Sequence, residues 1–438
     1  MLSKDRRVII SLCPDASFYV LSDMEGIFIL DMKKRSLGKD QGTANSGWKA
    51  QIIAFLISQN LSIFGSSVVG FAILWFITLE TSSGFWMMLW TICTLLPQVL
   101  ISLFAGVWAD RYSRKHLIML ADGSTALVTL ALAVTFLTGF SNIKLLLILS
   151  VARAIGAGIQ NPAVSAIYPQ LVPEEQLTKV QGINQTISST LALLSPAIGG
   201  LLLGTVGIVG AFFVDVITAT IAIIIMSRIY TERPSGLTAD KSVWKDISGG
   251  VSYIWRHTRL RRLVICILFT FLLVTPAFTL TPLMIERTFG NDVWLLTVHE
   301  IVWSAAMIIG GIFVSVKGGF RNKPFTIAIC IVSFGVTFCL LGLSWNFVIF
   351  LVFLGLAGLF WPVFSTAQAV FVQETVPEDV LGRVFSIIQL IITGAVPIAI
   401  LFFGPLADVV RVQSIYLVSS SLLALVGVVY GISERNNK

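Results

Sequence analysis

Twelve stretches of membrane length, separated by short polar turns, leave this chain few ways to fold. They run over about 49–78, 85–109, 117–138, 143–167, 180–203, 209–229, 263–288, 293–316, 324–344, 347–371, 380–407 and 413–432. A helix rising 1.5 Å per residue needs about 20 residues to cross the hydrocarbon core. Backbone polar groups in lipid must be bonded within the segment, so each run reads as a helix. The chain is 56% hydrophobic and 12% charged, with a mean hydropathy of +0.88. Soluble domains carry about 25% charged residues. The expected fold class is an all-α integral membrane protein of 12 transmembrane helices in two six-helix bundles.

The formal net charge is +7. In a soluble protein this would point to nucleic acid; here the cations cluster between spans and set topology instead. With the N-terminus inside, 26 of the 30 Lys and Arg residues fall on the cytoplasmic side. Lys144, Arg287 and Arg411 fall outside, and Arg153 lies within a span. Both termini are therefore expected in the cytoplasm. The five cysteines lack metal-site spacing, and four sit in apolar runs as small core residues. No phosphate-binding Gly-rich loop, metal cluster or nucleophile–base pair is visible, so neither an enzyme nor a cofactor is expected.

Residues 1–47 differ from the rest. Val8 to Leu30 contains Asp15, Asp23 and Glu25, and charges near a span centre cost about 2.5–3.5 kcal/mol each. This segment reads as a cytoplasmic extension whose first 31 residues look like a mis-assigned start or a disordered extension. The spans then divide into an N-terminal bundle (48–229), a cytoplasmic linker (230–262) and a C-terminal bundle (263–433). In the linker, Val243, Trp244, Ile247, Val251, Ile254 and Trp255 share one helical face, as in a helix lying at the membrane interface. A plain linker and a regulatory element fit that helix equally well.

The halves repeat each other. Val-Pro-Glu-Glu-Gln-Leu-Thr-Lys-Val (172–180) returns as Val-Pro-Glu-Asp-Val-Leu-Gly-Arg-Val (376–384), and Gly158–Pro162 returns as Gly358–Pro362. Lys317–Lys323 is a degraded copy of the loop around Asp110. Such duplication is expected of a two-bundle secondary transporter.

That loop, Gly106-Val-Trp-Ala-Asp110-Arg111-Tyr-Ser-Arg114-Lys115, follows the second span. It carries one carboxylate, three cations and a glycine suited to close helix approach. The pattern G-x-x-x-D-R-x-x-R-K resembles the loop signature of the major facilitator superfamily of transporters. The resemblance implies a latch between the bundles on the cytoplasmic face, with Asp110 set near a helix N-terminus or an arginine.

Arg153 lies about ten residues into the fourth span, too deep to snorkel cheaply, so it should face the protein interior with a partner. Asp215 in the sixth span lies at similar depth and is the candidate. Arg153-x-x-Gly156 resembles the family's fourth-helix signature, where the arginine is linked to proton coupling. Glu300, beside His299 in the eighth span, is the other deep carboxylate; a carboxyl in apolar surroundings and a histidine can both exchange protons near neutral pH. Asp122 and Asp408 lie nearer span ends and read as structural. Ser195-Pro196-Ala-Ile-Gly199-Gly200 resembles the exporter motif of the family, with Ser in place of its first Gly. Pro196 removes a helical hydrogen bond, and Gly199 and Gly200 admit a neighbouring helix. Gln59, Asn60, Ser62 and Ser66, Gln98, Gln160, Asn161, Asn184, Gln185, Gln368 and Gln389 supply neutral polar groups for a cavity, among 30 phenylalanines. That mixture suits a large amphiphile.

Residues 172–179 and 381–386, and the helix from Glu300 to Gly311, look like the macrolide-efflux branch of the drug:proton antiporters. The resemblance covers about 48–433. It implies export of a small lipophilic compound against inward proton flow by alternating access, in the bilayer of a bacterial plasma membrane, with no required oligomer. A siderophore, lipid or peptide exporter on the same scaffold is the alternative, and a non-transporting sensor or scaffold is the alternative of another class.

Overall fold

A computed structural model describes residues 44–231, 243–317 and 319–435. The mis-assigned-start reading, most of the 1–47 extension and linker residues 232–242 lie outside them. So do the side chains of Asp110, Val243, Trp244 and Ile247. The described residues form α-helices with one short 3-10 turn and no strands. The first half holds α1 (Ala44–Thr81), α2 (Gly84–Arg111), α3 (Arg114–Leu137), α4 (Ile143–Leu171), α5 (Leu177–Thr205) and α6 (Ile208–Arg228). An intervening helix, α7, spans Val243–Arg256. The second half holds α8 (Thr258–Thr279), α9 (Thr281–Phe289), α10 (Val293–Lys317), α11 (Lys323–Gly342), α12 (Phe347–Thr375), α13 (Glu378–Val409) and α14 (Val412–Arg435). Together they supply 12 helices long and apolar enough to cross a membrane, with α8 and α9 counted as one.

The seventh span departs from the expected single helix over 263–288. It starts earlier, at Thr258, and breaks at Leu280 between α8 and α9. Pro276 and Pro282 lack the amide protons that would continue the helical ladder. The Thr281 hydroxyl instead bonds the Ala277 carbonyl, and Tyr416 Oη reaches the same carbonyl at 3.3 Å. A buried backbone acceptor exposed by the break is thus satisfied from α14.

The main helix packings of the first half have counterparts in the second. α2 packs on α4 as α10 packs on α12; α3 packs on α6 as α11 packs on α14; α1 packs on α5 and α6 as α8 packs on α13 and α14. The repeat extends to single residues. A Cβ on Gly158 would come within 2.7 Å of the Gln98 carbonyl on α2, and one on Gly358 within 2.8 Å of Ala306 Cβ on α10. Lipid tails give little hydrophobic force between helices, so such close approaches set the packing register. The halves meet along α5 against α10 and α2 against α13. α7 packs on α8 and α13, with Gly250 against Ile387, and leaves Trp255 exposed near Arg261.

Candidate functional site

The centre of the first half is a polar column inside a helix bundle that is otherwise apolar. Its deeper layer is built on four helices. α4 brings Arg153, whose guanidinium forms an ion pair with Asp215 of α6. The same guanidinium contacts Thr129 of α3, whose hydroxyl donates to Asp215 Oδ2 at 2.7 Å. Ser66 of α1 donates to Asp215 Oδ1 at 3.1 Å. Asp215 is fully buried, while the Arg153 side chain keeps 11% of its surface exposed. An ionised carboxylate sealed in apolar surroundings is tolerated because its lone pairs are filled by one cation and two hydroxyls.

Gly65 makes this layer possible. A Cβ there would overlap the Thr218 hydroxyl and stand 3.0 Å from Asp215 Cα. Only the bare backbone lets α1 lie against the turn of α6 that carries the carboxylate.

A second layer lies one helical turn away on α1 and two turns away on α3 and α4. Asp122 of α3, 2% exposed, accepts at Oδ1 from Ser62 (2.6 Å) and from Gln160 (2.8 Å). Gln160 also reaches Gln59 Oε1 at 3.2 Å. Beyond it, Asn60 donates to Asn184 Oδ1 of α5 at 2.9 Å and accepts from Ser188 at 3.0 Å. Sequence reasoning named the glutamines and serines but left Thr129 and Gly65 unremarked. It also placed Asp122 near a span end. α3 begins at Arg114, so Asp122 sits two turns inside the helix.

The remaining residues are placed elsewhere. Pro196, Gly199 and Gly200 are buried on α5. A Cβ on Gly199 would stand 3.1 Å from the Val68 carbonyl of α1, and one on Gly200 would strike Thr297 of α10 and Trp75. The motif therefore seats α5 on both halves. Glu300 follows Thr297 by one turn and shares its stripe of α10. Its carboxylate lies 3.5 Å from His299 Nδ1 and is 17% exposed. The structure does not bring Glu300 into the Arg153 column. Gln98 and Asn184 are half-buried, Gln368 is buried, and Gln389 is exposed with only Thr393 of its own helix at 3.3 Å.

In the first turn of α3, Arg114 donates to the carbonyls of Ala109 and Ala166, and Lys115 to those of Ser227 and Ile229. All four acceptors belong to the first half. Arg111 is exposed. Gly106 requires a correction: a Cβ there would meet nothing within 4 Å, so it does not serve close helix approach in this conformation. The close approach of α2 falls lower, where Gln98 and Ile101 meet Gly158.

The opposite end of the molecule holds a cluster that the sequence did not single out. Asp408 of α13 accepts from Ser83 Oγ (2.8 Å), Gly84 N (2.7 Å) and Phe85 N (2.9 Å) at the start of α2. Arg287 of α9 holds Asp408 at 3.1 Å and bonds the Ser82 and Ala407 carbonyls, while Ser82 donates to Glu286. Ser83 makes no cap of its own for α2, so a carboxylate from the other half caps that helix.

The halves also differ in kind. Where the first half has its polar column, the second packs rings: Phe278, Trp303, Trp361, Phe334 and Phe364 touch in sequence with centroids 5.2–6.4 Å apart.

A duplicated twelve-helix membrane fold with a buried arginine–aspartate pair narrows the comparison to transporters. The model of the Major Facilitator Superfamily matches residues 55–399. The chain belongs to that superfamily. It is 27% identical over 388 residues to the Macrolide efflux protein A of Streptococcus pyogenes, covering 88% of this chain and 96% of that protein. It is 24% identical over 377 residues to the Staphyloferrin A transporter of Staphylococcus aureus (strain NCTC 8325 / PS 47), covering 85% and 94%. Among solved structures it is similar to a bacterial homologue of the iron transporter ferroportin in an inward-facing state. That likeness has a TM-score of 0.67 at 15% identity, covering 87% of this chain and 98% of the other, and speaks for the fold alone.

Proposed function

We propose that this superfamily member exports lipophilic, macrolide-type or multidrug compounds from the cell by proton antiport, through alternating access in a bacterial plasma membrane. The observation that carries the reading is the Arg153–Asp215 pair with Thr129 and Ser66. A guanidinium held this deep needs a counter-charge, and protonating Asp215 removes it. The arginine is then free to change partners, which ties the charge state of the first half to its conformation. The macrolide efflux relative supports the drug class, and the ring cluster of the second half offers apolar, aromatic contacts for such a compound. The His299–Glu300 pair lies on α10, which packs on α5 of the other half, and is a further candidate for proton coupling.

The loop from Gly106 to Lys115 is assigned the cytoplasmic latch. In this conformation the Asp408 cluster joins the halves at the other end. This suits a state closed to the outside.

The test is a susceptibility panel in a host deleted for its own pumps, with and without a protonophore. Expression is expected to raise macrolide resistance, and protonophore or Asp215→Asn to abolish the gain. No gain for any compound would refute the drug reading. Likeness to the staphyloferrin A transporter keeps siderophore export as the second reading, and altered growth under iron limitation would favour it.

A further inference from the structure

Asp122 is the one buried carboxylate of the polar column with no cation against it. Oδ1 carries both of its hydrogen bonds, from Ser62 and Gln160. Oδ2 is fully buried and has no partner. A bare carboxylate in that setting is far costlier than the neutral acid, because an ionised group must be paired or fully hydrogen-bonded when removed from water. Both donors fall on Oδ1, one for each of its lone pairs, so Oδ2 is the oxygen left to carry a proton.

Its placement gives the proton a use. Ser62 and Ser66 stand one turn apart on α1, one on each carboxylate. Asp122 precedes Thr129 by seven residues on α3, and Gln160 follows Arg153 by seven on α4. Seven residues of helix span about 10 Å. The basic loops set α1 and α3 running outward and α4 inward. On all three, the Asp122 layer then lies on the cytoplasmic side of the Arg153 layer. The charged groups of the packed helices nearest Asp122 are Asp215 on α6 and Arg153 on α4. Lys49 and Glu80 of α1, Arg111 of α2, Lys144 of α4 and Arg228 of α6 sit at helix ends.

We propose that Asp122 is a second proton-binding site of the transport cycle, on the cytoplasmic side of the Arg153–Asp215 pair. The proposal rests on the antiport reading above. When protonated Asp215 gives up its proton to pair with Arg153, the carboxylate of Asp122 takes a proton at Oδ2, and later releases it to cytoplasmic water. One O–H bond breaks as another forms, and no further reactant is required.

The test uses the full-length transporter, purified and reconstituted. Infrared difference spectra on changing pH should show a protonated-carboxyl stretch that disappears in Asp122→Asn and persists in Asp215→Asn. In vesicles, erythromycin-driven proton movement should be lost in Asp122→Asn while erythromycin binding survives. Asp122→Glu should restore the movement, which a purely structural role would not require. Absence of the Asp122 band at every pH, or wild-type proton movement in Asp122→Asn, overturns the proposal. Wild-type protein that moves no protons with erythromycin instead sinks the antiport reading, and this site with it. Proton movement in the wild type with an indifferent Asp122→Asn sinks this site alone.

Discussion

Replacing Asp408 with alanine removes the acid through which α13 holds the first turn of α2. The side chain accepts two backbone amides, one hydroxyl and one guanidinium there. Loss of a helix cap costs about 1 kcal/mol, and loss of the charge from a helix N-terminus about 0.3–1. The ion pair with Arg287 is partly exposed, 31% and 29% for the two side chains, and adds about 0–1 kcal/mol. Allowing for solvent screening, about 1–2 kcal/mol of preference for this conformation is lost. By the same arithmetic the balance between this conformation and any in which the halves part at this end shifts by about 5- to 30-fold. Spin labels on a cysteine-free background at Val206 and Trp345, exposed on opposite halves at this end, report the change as a longer distance population. Asp408→Asn, which loses the charge but keeps one acceptor oxygen, should fall between the two. A distance distribution in Asp408→Ala identical to wild type would refute the assignment of this cluster as an outer clasp.

Further outcomes follow from the column and the loops. Gly65→Ala forces a Cβ into Thr218 and the α6 backbone, so about 1–3 kcal/mol of stability should be lost; Gly70→Ala on the same helix, where a Cβ meets nothing within 4 Å, should melt like wild type in a thermal unfolding assay. Asp215→Ala leaves the Arg153 charge buried without its acid, and about 3–5 kcal/mol should be lost, read by the same melt. Glu300→Gln should slow substrate-driven acidification of vesicles; an unchanged rate would remove Glu300 from proton carriage. Asp110→Asn should abolish efflux while surface expression stays normal, and intact efflux would remove the latch.

The column shows how far residue order reaches. Arg153 and Asp215 are neighbours in depth because both spans run the same way, and depth can be counted along a sequence. Thr129 and Ser66 complete the layer through helix rotation, which is not set by depth. Asp122 reads as a residue near a span end from the apolar run alone; its burial comes from α1 and α4, which bring Ser62 and Gln160 against it. The Asp408 clasp joins positions more than 300 residues apart, through polar side chains that individually look like ordinary loop residues.

The number of crossings, their helical nature, the internal duplication and the uneven spread of cations were set by the chain alone. Each depends on how a single segment is solvated, since an isolated run either satisfies its own backbone in lipid or does not. Which acid meets Arg153, which oxygen of Asp122 goes bare and where the halves clasp were settled only by packing. In lipid, helices find one another through close contacts such as those at Gly65, Gly158 and Gly200, and these depend on rotation and register between segments distant in sequence.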